Sequence, residues 1–186
     1  MPSHQDVLDW LTGITEGYID LSLDNVALAH AALDLVAPLP FVSDQISPHF
    51  TLTELTYSDT AIAMGIDNAP NGNAISELSR LANETLEKVR EICGNCAVVI
   101  TSGYRCARLN EEVGGADNSA HLYGCAADFT IPEYGDVGTI CRTIEPYLKE
   151  FGIDQLIDES GGGARWVHIG RAIPGTAPRH QSFSIP

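Results

Sequence analysis

Apolar residues recur at helical spacing near the start of the chain, where Val7, Leu8, Trp10, Leu11 and Ile14 predict an amphipathic helix over residues 5–15. Asp24 or Asn25 can cap a second helix over residues 26–37, which stops at Pro38 and Pro40. Residues 42–50, rich in Ser and Pro, read as a linker. Short helices are predicted near residues 52–57 and 59–64, then a turn over 68–72. The longest helical pattern covers residues 73–93, with Ile75, Leu78, Ala82, Leu86, Val89 and Ile92 on one side and Gly94 at its C-terminus. After it the period changes. Residues 97–101 read as a buried strand and residues 108–113 as a short helix. Residues 125–131 predict a strand in which Asp128 and Thr130 share one face while Phe129 and Ile131 turn to the core. A helix is expected over 135–151. A third strand over 153–158 leads through a glycine turn at 161–163 into a hairpin partner at 165–170. There Trp166 and His168 share one face, Val167 and Ile169 the other. The tail after Arg171, rich in Pro, Ser and Gly, reads as extended. No internal repeat or low-complexity tract interrupts this order.

With 186 residues, the chain suits one domain with a sizeable core plus a small appendage. The division expected is an N-terminal helical extension over 1–41 and a main domain over 42–186, its extended tail beginning at about 172. Hydrophobic content of 44% and charged content of 19% are those of a folded soluble protein. A formal net charge of -15 argues against a nucleic-acid-binding surface, which needs clustered Lys and Arg. No basic region followed by an apolar run opens the chain, so no secretory signal is expected, and no apolar run approaches membrane-spanning length. Five cysteines leave at least one outside any intramolecular disulfide. Cys93-Gly-Asn-Cys96 has redox or half-zinc spacing, but no second pair completes a four-ligand site, and a structural role is the plainer reading. Cys106, Cys125 and Cys141 read as small buried thiols.

The chemistry concentrates in residues 119–128, Ser-Ala-His-Leu-Tyr-Gly-Cys-Ala-Ala-Asp. Imidazole nitrogen and carboxylate oxygen are both good zinc ligands, and a catalytic zinc needs three protein ligands with one position open. His121 and Asp128 supply two. His168, on the polar face of its strand, is the expected third, since two strands that each bury one face present Asp128 and His168 to a common cleft. The remaining histidines, His4, His30, His49 and His180, lie outside any motif and read as solvent-exposed.

The pattern Ser119-x-His121-x-x-Gly124-x-Ala126-x-Asp128, followed by Trp166-x-His168, resembles the zinc D-alanyl-D-alanine peptidase family, which includes bacterial carboxypeptidases, vancomycin-resistance D,D-dipeptidases and phage cell-wall endopeptidases, with the Hedgehog signalling domain as a structural relative. Residues 50–55, 65–68, 101–105 (Thr-Ser-Gly-Tyr-Arg) and 109–115 look like its phage-associated branch. The resemblance runs from about residue 47 to about residue 171. It implies an α+β fold, a small antiparallel sheet with helices packed on one side, and one Zn2+ in an open cleft held by His121, Asp128 and His168. It also implies hydrolysis of an amide bond in peptidoglycan stem peptides or cross-links, as D,D-carboxypeptidase or endopeptidase. Glu159 matches the branch's general base in position, with Asp158 as the fallback; the slot three residues before the last histidine, acidic in older members, holds Arg165 here. Arg105 resembles the arginine that polarises the scissile carbonyl. Ser119 is expected to bond substrate or orient the His121 loop, and Tyr104 and Trp166 to line the cleft or pack in the core.

The rival reading is a catalytically silent zinc-bound module for recognition or phage-particle assembly. The N-terminal helices read as a hairpin packed on the main domain or, alternatively, as a docking element for a cell wall or partner. The expected partner is a peptidoglycan peptide, the expected state a monomer that stays cytoplasmic until lysis or phage delivery takes it to the wall. The bond cut is set by loop shape, which one sequence does not encode.

Overall fold

A computed structural model describes residues 44–185. The helices predicted over residues 5–15 and 26–37, with His4 and His30, lie outside the described residues.

Five strands form one sheet: β1 (Val99–Ser102), β2 (Ala126–Thr130), β3 (Ile153–Gly161), β4 (Ala164–Arg171) and β5 (Gln181–Ile185), in the order β1-β2-β4-β3-β5. The first four pair antiparallel, as expected, but β5 runs parallel to β3, so the sheet is mixed. The cause is the path after β4. The chain crosses the start of β3 instead of turning back beside β4, and therefore enters the sheet in the direction of β3. The tail predicted as merely extended thus becomes an edge strand.

Strand alternation sets the two faces. Phe129, Leu156, Val167 and Ile169 are buried on one side, and Asp128, His168, Ile157 and Glu159 share the other. The apolar face joins Leu78, Leu81, Leu86 and Val89 of the long helix and Ile140 and Ile144 of a later one in a single core. β1 departs from expectation: Val99 is 46% exposed, because the strand lies at the sheet edge and pairs with β2 alone. Only the preceding Val98 is fully in the core, with Ile100 packed against it.

The short helices α1 (Leu52–Thr56) and α2 (Asp59–Met64) form where predicted. Thr51 and Glu54 make a reciprocal capping box at the start of α1, and the Ser58 hydroxyl caps α2. The long helix is continuous but not uniform. It runs as α3 (Gly72–Leu81), a π turn (Ala82–Leu86) and α4 (Glu87–Ile92). The Asn71 side chain caps its first turn by accepting from Ala74 N at 2.9 Å. The wider π turn shifts the buried stripe to Ala74, Leu78, Leu81, Ala82, Thr85, Leu86 and Val89, leaving Ile75 and Ile92 only half-buried.

α5 (Ala107–Glu112) is capped by the Cys106 sulfur, which accepts from Leu109 N. The helix expected over 135–151 is shorter, α6 (Val137–Ile144) followed by a 3-10 turn (Glu145–Tyr147), because Pro146 has no N–H to continue the ladder. All five cysteines are free thiols. Burial pushes the Cys93 and Cys125 thiols up to about 11 and Cys141 up to about 12, which leaves these three unreactive at neutral pH.

Candidate metal and catalytic site

Asp128 on β2 stands directly opposite His168 on β4, so both side chains leave the same face of the sheet. His121 reaches that face from a 3-10 turn (Ala120–Tyr123) just before β2. Asp128 Oδ1 lies 2.8 Å from His168 Nδ1 and 3.3 Å from His121 Nε2, and the two ring nitrogens are 3.3 Å apart. A tetrahedral zinc with bonds of about 2.0–2.1 Å requires ligand atoms about 3.3–3.4 Å from one another. The three donors therefore fit that ion with little movement. All three are nearly buried, at 2%, 5% and 9% exposure.

The surrounding bonds fix these donors. His121 Nδ1 donates to the Gly103 carbonyl at 2.6 Å, which leaves the Nε2 lone pair facing Asp128 and His168. Gly103 is held close to α1: a Cβ there would lie 2.1 Å from Leu55 O. Arg105 Nη2 donates to the second carboxylate oxygen, Asp128 Oδ2, at 2.7 Å, while Arg105 Nε donates to Ser102 Oγ at 3.0 Å. The backbone joins in, with Arg105 N donating to His121 O at 3.1 Å.

Charge states follow from this packing. Burial pushes His121 below its ordinary value, with a smaller opposing pull from Asp128. For Asp128 burial pushes upward, but attraction to His121 and the hydrogen bonds from His121 and His168 hold it well below the usual carboxylate range. An ionised carboxylate beside a neutral imidazole is the state in which both bind a metal.

Glu159 stands opposite Trp166 across the β3–β4 hairpin, on the same face as His168, and accepts a 3.2 Å hydrogen bond from Trp166 Nε1. Asp158 points to the other face, where Arg165 Nε donates to it at 2.7 Å. Arg165 is thus occupied away from the cleft. The triad opens into a cavity of about 800 Å³ whose floor is Ile157, Glu159, Trp166 and His168. Residues 113–116 and 118–120, Ser119 among them, form one wall, with Arg105 beside it. Asn110 holds that wall: its Nδ2 donates to Ala116 O, and its backbone carbonyl accepts from Gly115 N.

Tyr104 corrects one expectation. It does not line this cavity; it is 8% exposed, packs in the core and borders a separate pocket near α2. Tyr104 N is drawn onto Leu55 O, which turns the ring away from the triad. His180 is not solvent-exposed either: its ring is partly buried and donates to Ile153 O at 2.7 Å. His49 is a half-exposed partner of Glu87.

Other residues hold the site in roles that the sequence reading did not assign. Ser102 and Gly103 are two. Asn68 is a third: its amide donates to Thr56 O and Tyr104 O and accepts from Cys106 N, joining three loops behind Arg105. It sits in one of the quoted motifs, but nothing there announced this role.

Two imidazoles, a carboxylate and a neighbouring glutamate at the floor of an open cleft define a metal-dependent hydrolase type of site. The chain belongs to the peptidase M15 family, whose pattern its residues 48–169 match. Over 63 residues it is 35% identical to the zinc D-Ala-D-Ala carboxypeptidase of Streptomyces albus G, a match that covers 31% of this chain. It spans only about a quarter, 25%, of that relative's length. Zn2+ is the ion that the donor set and the family imply. Among the described residues, no helix is long and apolar enough to cross a membrane.

Proposed function

We propose that this protein is a zinc-dependent peptidase that hydrolyses an amide bond in peptidoglycan stem peptides or cross-links, as a D,D-carboxypeptidase or endopeptidase acting at the cell wall after lysis or phage delivery. The observation that carries the reading is the position of Glu159, on the face of the triad and bonded to Trp166. Zinc, when bound, supplies a Lewis acid that polarises the scissile carbonyl and makes water a stronger acid. Glu159 takes the proton of the attacking water and returns it to the leaving amine. Trp166 fixes which Glu159 oxygen is free for that transfer. Arg105, held by Ser102 and Asp128 at the cavity edge, faces the oxygen on which negative charge develops. Ser119 and Trp166 contact the substrate.

The test is Glu159→Gln, which keeps size and hydrogen bonding but does not take up the proton. Turnover of a stem peptide is expected to fall by about a hundredfold to ten-thousandfold with zinc content unchanged. Asp158→Asn, which alters only the opposite face, should leave turnover within about twofold. Normal activity in Glu159→Gln would remove this residue from the mechanism. Zinc binding without turnover in the unaltered protein would leave a silent binding module.

A further inference from the structure

The family pattern ends at residue 169, yet the residues beyond it build part of the cavity. Arg171, Ile173, Thr176, Ala177 and Arg179 line it, facing Asp154 and Gln155 at the start of β3. This segment is not a loose tail. Thr176 closes a turn on Ile173 O through both its N–H and its hydroxyl. Arg179 clamps the nearly buried Asp154 with its Nε, its Nη2 and its backbone N–H. His180 ties to Ile153 O, and β5 then pairs along β3 from Gln155 to Glu159.

Its distance from the chemistry can be read from the register. His168 stands opposite Ile157, and the wall meets β3 at Asp154 and Gln155, two to three positions away. At about 3.3 Å per residue that is roughly 7–10 Å, room for about two residues of an extended peptide. In the other direction along the floor, Glu159 and Trp166 are the last residues of β3 and β4 that line the cavity before the exposed hairpin turn. The segment after β4 thus bounds the cavity at its Asp154–Gln155 end.

We infer that the segment 172–180 is a stop that limits the substrate to about two residues on one side of the scissile bond, so that bonds near a peptide end are preferred over bonds within a long chain. This rests on the peptidase reading above and narrows it. The family-matched residues hold the chemistry; the segment after them sets the length of what is accepted.

The experiment uses the full zinc-loaded chain and a stem pentapeptide ending in D-Ala-D-Ala, together with versions extended by one to four glycines at either end. Cleavage is followed by mass spectrometry. Extension past two residues on one side should lower kcat/KM by about tenfold or more, mostly through KM, while extension on the other side should change it by less than about threefold. Arg179→Ala, at a half-exposed position, loosens the clamp and should reduce that penalty by at least about threefold. Ala177→Trp adds bulk to the wall at an exposed position and should enlarge it. A flat length profile in the unaltered protein, or an unchanged profile in both variants, overturns the inference while leaving the peptidase reading intact. No cleavage of any peptide by the zinc-loaded chain overturns both.

Discussion

His121 Nδ1 donates to the Gly103 carbonyl, and that bond decides which ring nitrogen is left for a metal. Gly103 thereby governs the site without touching the ion. A methyl group at this position would collide with Leu55 O, so Gly103→Ala must move the carbonyl. Loss of such a supporting bond typically weakens metal affinity by about 10–100-fold, and a chelator competition on Gly103→Ala should show a loss in that range. Glu159→Gln should show none. The three donors that the fold brings together, His121, Asp128 and His168, were legible in the sequence through the motif over residues 119–128 and the later Trp166-x-His168. Gly103, Ser102 and Asn68 were not legible. They act through a backbone carbonyl, a hydroxyl and a side-chain amide whose partners are set by the fold, and residue type does not encode that. Tyr104 failed for a related reason, since a motif gives a residue's neighbours along the chain but not the side to which the backbone turns it.

At the scale of elements, the hairpin that carries Glu159 and His168 was readable in its strand faces, but its turn is shorter than the expected 161–163. Gly162 and Gly163 have φ of +59° and +84°, and Gly161 pairs with Ala164, so the link is a two-residue turn that demands left-handed backbone. No atom lies within 4 Å of a Cβ built at Gly163, so a substitution there tests backbone strain alone. Gly163→Val should lower stability by about 1–2 kcal/mol in denaturant unfolding. Turnover should fall with it, because the turn sets Glu159 opposite Trp166; unchanged stability would mean that the turn has another conformation. The elements misjudged were those where burial and periodicity diverge. Residues 97–101 are apolar enough for a central strand yet lie at an edge. The pattern over 135–151 continues past Pro146, where the α-helix does not. Residues 181–185 are short and mostly polar, and they form a strand only because β3 offers a free edge and Asp154 holds Arg179.

For the molecule as a whole, that last clamp makes the cavity wall sensitive to acid. Burial pushes the Asp154 carboxyl upward, but its bonds and charge pairing with Arg179 prevail and leave it below the ordinary carboxylate range. A depressed carboxyl stabilises the folded state fully above its unfolded value of about 3.9, and this contribution is lost as pH falls through the folded value. Hydrogen exchange over residues 172–185 should therefore be slow at pH 6 and accelerate below about pH 4, ahead of exchange in the β2–β4 core. In Asp154→Asn the segment should exchange faster at pH 6 and respond little to acid. A segment that stays protected to the pH of global unfolding would show that β5 pairing alone suffices.

The π turn gives the long helix one residue more than a regular α-helix would need to join the same two ends. It places Thr85 where its hydroxyl donates to Phe151 O and accepts from Arg171 Nη1, tying the helix to the end of β4. Deleting a single residue within 82–86 would permit an unbroken α-helix, better by local propensity. It would keep Leu78 and Val89 in phase on the core face, but it would remove the bulge that presents Thr85 to Phe151 O and Arg171. Such a shortened chain should keep a cooperative thermal transition but at a lower midpoint, because the Thr85 tie to Phe151 O and Arg171 is lost while the helix is more regular. The extra residue of this helix therefore serves its tie to the strand that delivers His168.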